Sequence, residues 1–353
     1  MQKDLLRRTM SRLARGVDRA FTGTALNPPK STRAARADPS HHSDRLRTLR
    51  LIASFYGRED FLTQENLLLP RPAPIAPEFR RVRSSAGPQG EVIDLTWPST
   101  FEPLWARHAV HTHIESLPDA ERKILGRFDH SYGLDRSADL RDKYMRAVAN
   151  RTAHARWFRH SGGPRPCVVL LHGYMAGNYL IEERVWQVKR LFNSGLDVVL
   201  TVLPLHGARR SEERGYRPPA FPSSDPRFKI EGFRQVVFDH RALFDYLRGV
   251  GVTQLGVMGM SLGGYAAALL STLEKQLLFS VLFVPLAAVE DFAHSNGHMA
   301  GSVSEQLAQR EALCRAQRVI SPFARASLVP SERMVVVAGE EDLVTGVEHA
   351  RKL

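Results

Sequence analysis

The chain has 353 residues, enough for one large domain or a core domain with an extension. Its 43% hydrophobic and 24% charged residues exclude a fibrous or wholly disordered protein, and its two cysteines exclude a disulfide framework and a four-cysteine zinc site. The longest apolar stretch, residues 277–289, is interrupted by Ser280 and Pro285 and falls short of the roughly 20 residues of a membrane span.

The net charge of +12 is unevenly placed. Residues 1–36 hold nine lysines and arginines against Asp4 and Asp18, an excess of +7. Residues 1–43 read as a basic, disordered tail, with residues 1–36 suited to peripheral contact with an anionic membrane. Phe21 is the one aromatic among the basic positions, too few for base stacking, so nucleic acid is not expected as a partner. No secretory signal is visible, and the few cysteines fit a reducing, cytoplasmic compartment.

Residues 44–150 read as a mainly helical extension. Leu46, Leu49, Ile52, Ala53 and Tyr56 recur at helical spacing over 44–56, and Gly57 is a plausible stop. Pro70, Pro72, Pro74 and Pro77 space out an extended connector. A strand is expected at Glu91–Trp97, and helices over 119–128 and 135–150. His41-His42 and the trio His108, His111 and His113 are not accompanied by a suitable acid or cysteine at ligand spacing and read as loop or surface histidines, so no metal site is assigned.

From residue 151 the texture changes to strands alternating with helices, which predicts a mostly parallel sheet. Expected strands are Arg156–His160, Cys167–Leu171, Asp197–Leu203, Gln254–Met260, Phe279–Val284 and Arg333–Ala338. Expected helices are Asn178–Phe192, one carrying Phe233 to Leu247 on an apolar face, and Leu262–Gln276. Cys167–Leu171 is wholly apolar, the mark of a strand buried on both faces. Residues 204–230 hold five prolines and read as a long excursion, and residues 286–328 as a lid-like insertion.

Gly259-Met260-Ser261-Leu262-Gly263 fits G-x-S-x-G, a pattern in which a strand turns sharply into a helix and holds a serine at the turn. Gly259 and Gly263 are the small residues such an elbow needs. Ser261 is the candidate nucleophile, and the N–H of Leu262 one candidate oxyanion donor. His172-Gly173-Tyr174 follows the strand Cys167–Leu171, and Tyr174 is the second candidate donor. Asp342 lies in Gly339-Glu340-Glu341-Asp342, after the last expected strand, and is the candidate acid.

These markers, in this order over residues 156–353, resemble the α/β-hydrolase superfamily. Pro204-Leu-His-Gly-Ala-Arg209 and the excursion behind it resemble its α/β-hydrolase-domain-containing 18 branch. The resemblance implies an α/β-hydrolase fold acting on a small-molecule or lipid-like carboxylic ester by acyl transfer, without a cofactor. It also implies a base histidine beyond the acid, on a loop after one more strand. Only eleven residues follow Asp342, so the expectation is a fragment whose last strand and helix are missing, with little hydrolysis of its own. His206, His294, His298 and His349 stay open as bases within the chain. A non-catalytic scaffold of the same fold, binding a partner or an anionic membrane, is the alternative.

Overall fold

The computed structural model describes residues 39–82, 90–125, 134–212, 219–223, 225–286, 299, 301–339 and 347–353. Eight strands form one sheet: β1 Glu78–Val82, β2 Gly90–Pro98, β3 Thr152–His160, β4 Cys167–Leu171, β5 Asp197–Thr201, β6 Leu255–Met260, β7 Leu277–Phe283 and β8 Met334–Val337. Their order is β1-β2-β3-β5-β4-β6-β7-β8. The first four in that order pair antiparallel, and β5 through β8 run parallel. The principal helices are α1 Pro39–Tyr56, α2 Arg107–Ser116, α3 Leu134–Met145, α4 Tyr179–Val185, α5 Val188–Asn193, α6 Pro226–Gly249, α7 Leu262–Ser271 and α8 Val303–Gln317.

The central strands are apolar because both faces of the sheet are covered. Side chains alternate along a strand, so successive residues serve different cores. Val169, Leu171 and Val199 pack with Phe233 and Val236 of α6 and Tyr265 and Ala266 of α7. Val168, Leu170, Val198 and Leu200 pack on the other face with Trp186, Val188 and Phe192, beside α4 and in α5.

Several elements differ from the sequence expectation. α1 begins at Pro39, inside the stretch read as tail. β1 was not anticipated, because Glu78-Phe-Arg-Arg-Val lacks an apolar alternation and lies mostly exposed at the sheet edge. The extension contributes β1 and β2 to the same sheet as the core, and β2 pairs with β3 along its whole length. The single helix expected over 178–192 is two. Gln187, at φ 49°, separates α4 from α5 and lets both Trp186 and Val188 turn into the core. In the insertion 286–328, residues 287–298 and 300 lie outside the described residues, while α8 docks on α1 through Ala312 and Leu313 against Leu49.

Buried polar groups bind the extension to α6. Glu231 accepts from the Tyr56 hydroxyl, from the Leu104 and Trp105 amides at 3.0 and 3.2 Å, and from Arg234. Arg241 reaches Glu274 at 2.6 Å, Glu65 at 2.9 Å and the Leu69 carbonyl. Arg209 pairs with Asp239 at 2.7 Å, and Asp239 accepts from Ser99 at 2.6 Å. Glu231, Arg234, Arg241, Glu274, Arg209 and Asp239 are taken out of water, and each has a partner, the condition under which burial is tolerable. Among the described residues, no helix is long and apolar enough to cross a membrane.

Candidate active site

Ser261 stands between the last residue of β6 and the first of α7, with φ 52° and ψ −110°. A side-chain-bearing residue rarely adopts this conformation, which costs on the order of 1–3 kcal/mol and occurs mainly at functional sites. The surroundings hold it there. Its N–H donates to the Phe283 carbonyl at 2.9 Å, and its carbonyl accepts from Tyr265 and Leu286.

The flanking glycines are required by contact. A Cβ on Gly259 would stand 2.1 Å from the Gly263 carbonyl oxygen, and one on Gly263 would stand 2.1 Å from the Leu171 carbonyl oxygen. The second contact packs the start of α7 against the end of β4. It brings the His172-Gly173-Tyr174 loop to the serine, since a methyl on Gly173 would lie 3.7 Å from the Ser261 Cβ. Leu262 opens α7, where the first backbone N–H groups have no acceptor within the helix. The structure thus brings Ser261, Leu262, Gly259, Gly263 and the Tyr174 loop together. A strand–turn–helix elbow at the end of a central parallel strand, in a mostly parallel sheet with flanking helices, is the α/β-hydrolase architecture.

The loop after β4 is anchored by groups that the motif does not reveal. The Gly177 N–H donates to Glu182 at 3.1 Å, and the Trp186 indole donates to the other Glu182 oxygen at 3.1 Å. Burial raises the Glu182 carboxyl above its ordinary pKa. Asn178 caps α4 by accepting from the Leu180 N–H at 3.0 Å. The Tyr174 hydroxyl donates to the Pro219 carbonyl at 3.4 Å. Asn178 was legible as a helix start. Glu182 was not, because a carboxylate on a short helix reads as solvent-facing.

His172 donates through Nδ1 to the Gly173 carbonyl at 2.7 Å and accepts the Leu203 N–H through Nε2 at 3.0 Å. His206 is wholly buried, with Nδ1 on the Pro204 carbonyl at 2.9 Å; its Nε2 has no partner among the described residues. Its ring lies edge-on to His172 and Tyr174 at 5.1 and 5.9 Å. Arg209, in the same Pro204–Arg209 segment, is buried on Asp239. Asp342, Glu340, Glu341, His294 and His298 lie outside the described residues, as does the side chain of His349. His113, on α2, lies 3.0 Å from the Ser54 hydroxyl.

Burial pushes the pKa of His172 and His240 down to about 4, and burial beside His172 pushes His206 down to about 3. In the unfolded chain all three return to about 6.5. Below that value the unfolded state therefore binds more protons, and stability falls as pH drops. The denaturation midpoint is expected to hold above about pH 6.5 and to decline steadily towards pH 4. His206→Phe should flatten that decline, as measured by urea titrations across the range.

No protein-family model matches the sequence. Two Mycobacterium tuberculosis proteins, Rv2627c of strain H37Rv and MT2702 of strain CDC 1551, are each 32% identical over 206 residues, which is 57% of this chain. The chain spans about half the length of these curated relatives, 48% of each. Among solved structures, acetyl xylan esterase 1 from Thermoanaerobacterium sp. has a TM-score of 0.49 at 15% identity, covering 85% of this chain and 87% of its own. The acetyl xylan esterase from Paenibacillus sp. R4 has a TM-score of 0.47 at 14% identity, covering 79% and 78%. A cold-adapted esterase from an Arctic intertidal metagenomic library has a TM-score of 0.40 at 17% identity, covering 79% and 85%.

Proposed function

We propose that the protein is a serine hydrolase that cleaves carboxylic esters, small or lipid-like, by acyl transfer. The observation that carries this reading is the strained backbone of Ser261, held against the loop after β4 by glycines that tolerate no side chain. Strain of this kind is maintained only where the surrounding structure enforces it.

In this mechanism the Ser261 Oγ attacks the ester carbonyl carbon while its proton passes to a histidine. The carbonyl oxygen gains the negative charge, and the N–H groups of Leu262 and Tyr174 stabilise it. Collapse of the tetrahedral intermediate expels the alcohol, which takes the proton from the histidine, and water then releases the acid from the acyl-serine by the same route. Asp342 orients the histidine. His172, His206 and His240 are held neutral by burial, with pKa values far below neutrality, which suits a poor base. The base is therefore assigned outside this set.

The test is covalent labelling. A fluorophosphonate reagent should phosphonylate the protein once, and peptide mass spectrometry should place the adduct on Ser261. No adduct under conditions that label an authentic esterase would overturn the reading and leave the non-catalytic scaffold.

A further inference from the structure

α4 is built with its polarity reversed. At about 100° per residue, Leu180, Arg184, Ile181 and Val185 fall within one arc of about 140°. That arc faces solvent: Leu180 is 66% exposed, Ile181 57% and Val185 49%. Met175, in the preceding loop, is 54% exposed. The opposite arc turns a carboxylate inward, Glu182, held on the Gly177 amide and the Trp186 indole. A surface helix ordinarily buries its apolar stripe and exposes its charges. Here four large apolar side chains lie in the open within eleven residues, just after the loop that meets Ser261. Contiguous apolar exposure of this kind marks an interaction surface.

The charges around the patch decide what it meets. Arg184 lies within the apolar arc, and Lys189 and Arg190 follow on α5; all three are exposed and form no ion pair among the described residues. The nearby acid, Glu183, is taken up by Arg156 at 2.9 Å. Behind the patch a cleft of about 1310 Å³ opens between α4, α5 and the sheet. Leu180, Arg184, Lys189 and Arg190 line it, with Phe158 and Phe192 as apolar wall.

We propose that the outward face of α4, with Arg184, Lys189 and Arg190 around it, docks the protein on an anionic lipid bilayer. The apolar side chains enter the interfacial region and the cations meet headgroup phosphates, the pairing by which interfacial helices bind. A second copy of the chain fits poorly, because a two-fold contact would set Arg184 of one protomer near its own counterpart. The proposal stands independently of hydrolysis at Ser261, and it concerns a surface other than the basic segment 1–36.

The test is co-sedimentation with mixed phosphatidylcholine/phosphatidylglycerol vesicles and with phosphatidylcholine alone. It compares the full chain with the Leu180→Glu/Ile181→Glu variant. Both positions are exposed, so the variant should keep its circular dichroism and denaturation midpoint. The wild type should bind the mixed vesicles and prefer them to the neutral ones. The variant should bind at least tenfold more weakly at about 0.15 M and at about 1 M salt. Over that range the screening length shortens from about 8 to about 3 Å, which suppresses purely electrostatic binding. Equal binding by the two forms would overturn the proposal and assign attachment to another segment. So would absence of wild-type binding, or self-association of the wild type that the variant abolishes.

Discussion

In a form of the protein that carries its base histidine, replacing Ser261 with alanine is expected to lower kcat/KM on a short p-nitrophenyl ester by about 10³-fold or more, with little change in stability. Loss of a nucleophile removes the acyl-enzyme route and leaves the residual contributed by binding and the oxyanion donors. Alanine has a Cβ like serine, so it carries the same backbone strain at φ 52°. Ser261→Gly separates the two effects. Glycine adopts positive φ without penalty, so this variant should lose activity equally yet gain on the order of 1 kcal/mol of stability. Steady-state kinetics with urea denaturation checks both. A glycine variant less stable than the wild type would show that Ser261 packs rather than strains.

The second large effect is expected at Glu231, far from the serine in sequence and role. Glu231 is fully buried and accepts from Tyr56, Leu104, Trp105 and Arg234. Glu231→Ala leaves the buried Arg234 charge without its carboxylate and three donors without an acceptor, and such a loss costs about 3–5 kcal/mol. Because the donors belong to α1 and to the chain between β2 and α2, the extension should loosen from α6 first. Hydrogen exchange should report this as lost protection in residues 45–56. The exposed pair Arg58–Asp60 is the control, since breaking a surface ion pair costs about 1 kcal/mol or less. Comparable urea midpoints for Glu231→Ala and Asp60→Ala would refute the assignment.

How much of the site could be read from sequence followed from how local its signals are. The elbow is five consecutive residues, and the steric demand on Gly259 and Gly263 arises from a turn that those residues themselves make. The proposed loop donor, Tyr174, is one strand away, and the run Cys167–Leu171 announces that strand because both its faces are covered. Glu182 escaped notice because its value lies in two donors that come into reach only when α4 folds back on its own loop. β1 escaped because its pairing with β2, rather than its composition, makes it a strand. The break at Gln187 escaped because helical periodicity runs through it, and only the need to bury both Trp186 and Val188 separates α4 from α5.

By itself the sequence determined what short-range physics enforces: the continuously apolar strands, the succession of strand and helix, the glycine-flanked serine and the α/β class that follows from them. The tertiary structure alone decided where charge could be buried. Glu231, Arg234, Asp239 and Arg241 lie off the apolar face that the sequence marks on α6, yet all four are buried. Their partners Tyr56, Leu68, Ser99, Glu65 and Leu69 lie more than a hundred residues away in sequence. A local pattern cannot encode a partner at that separation. The extension becomes part of the sheet and of the α6 interface because these charges, once desolvated, hold only when their distant partners are present.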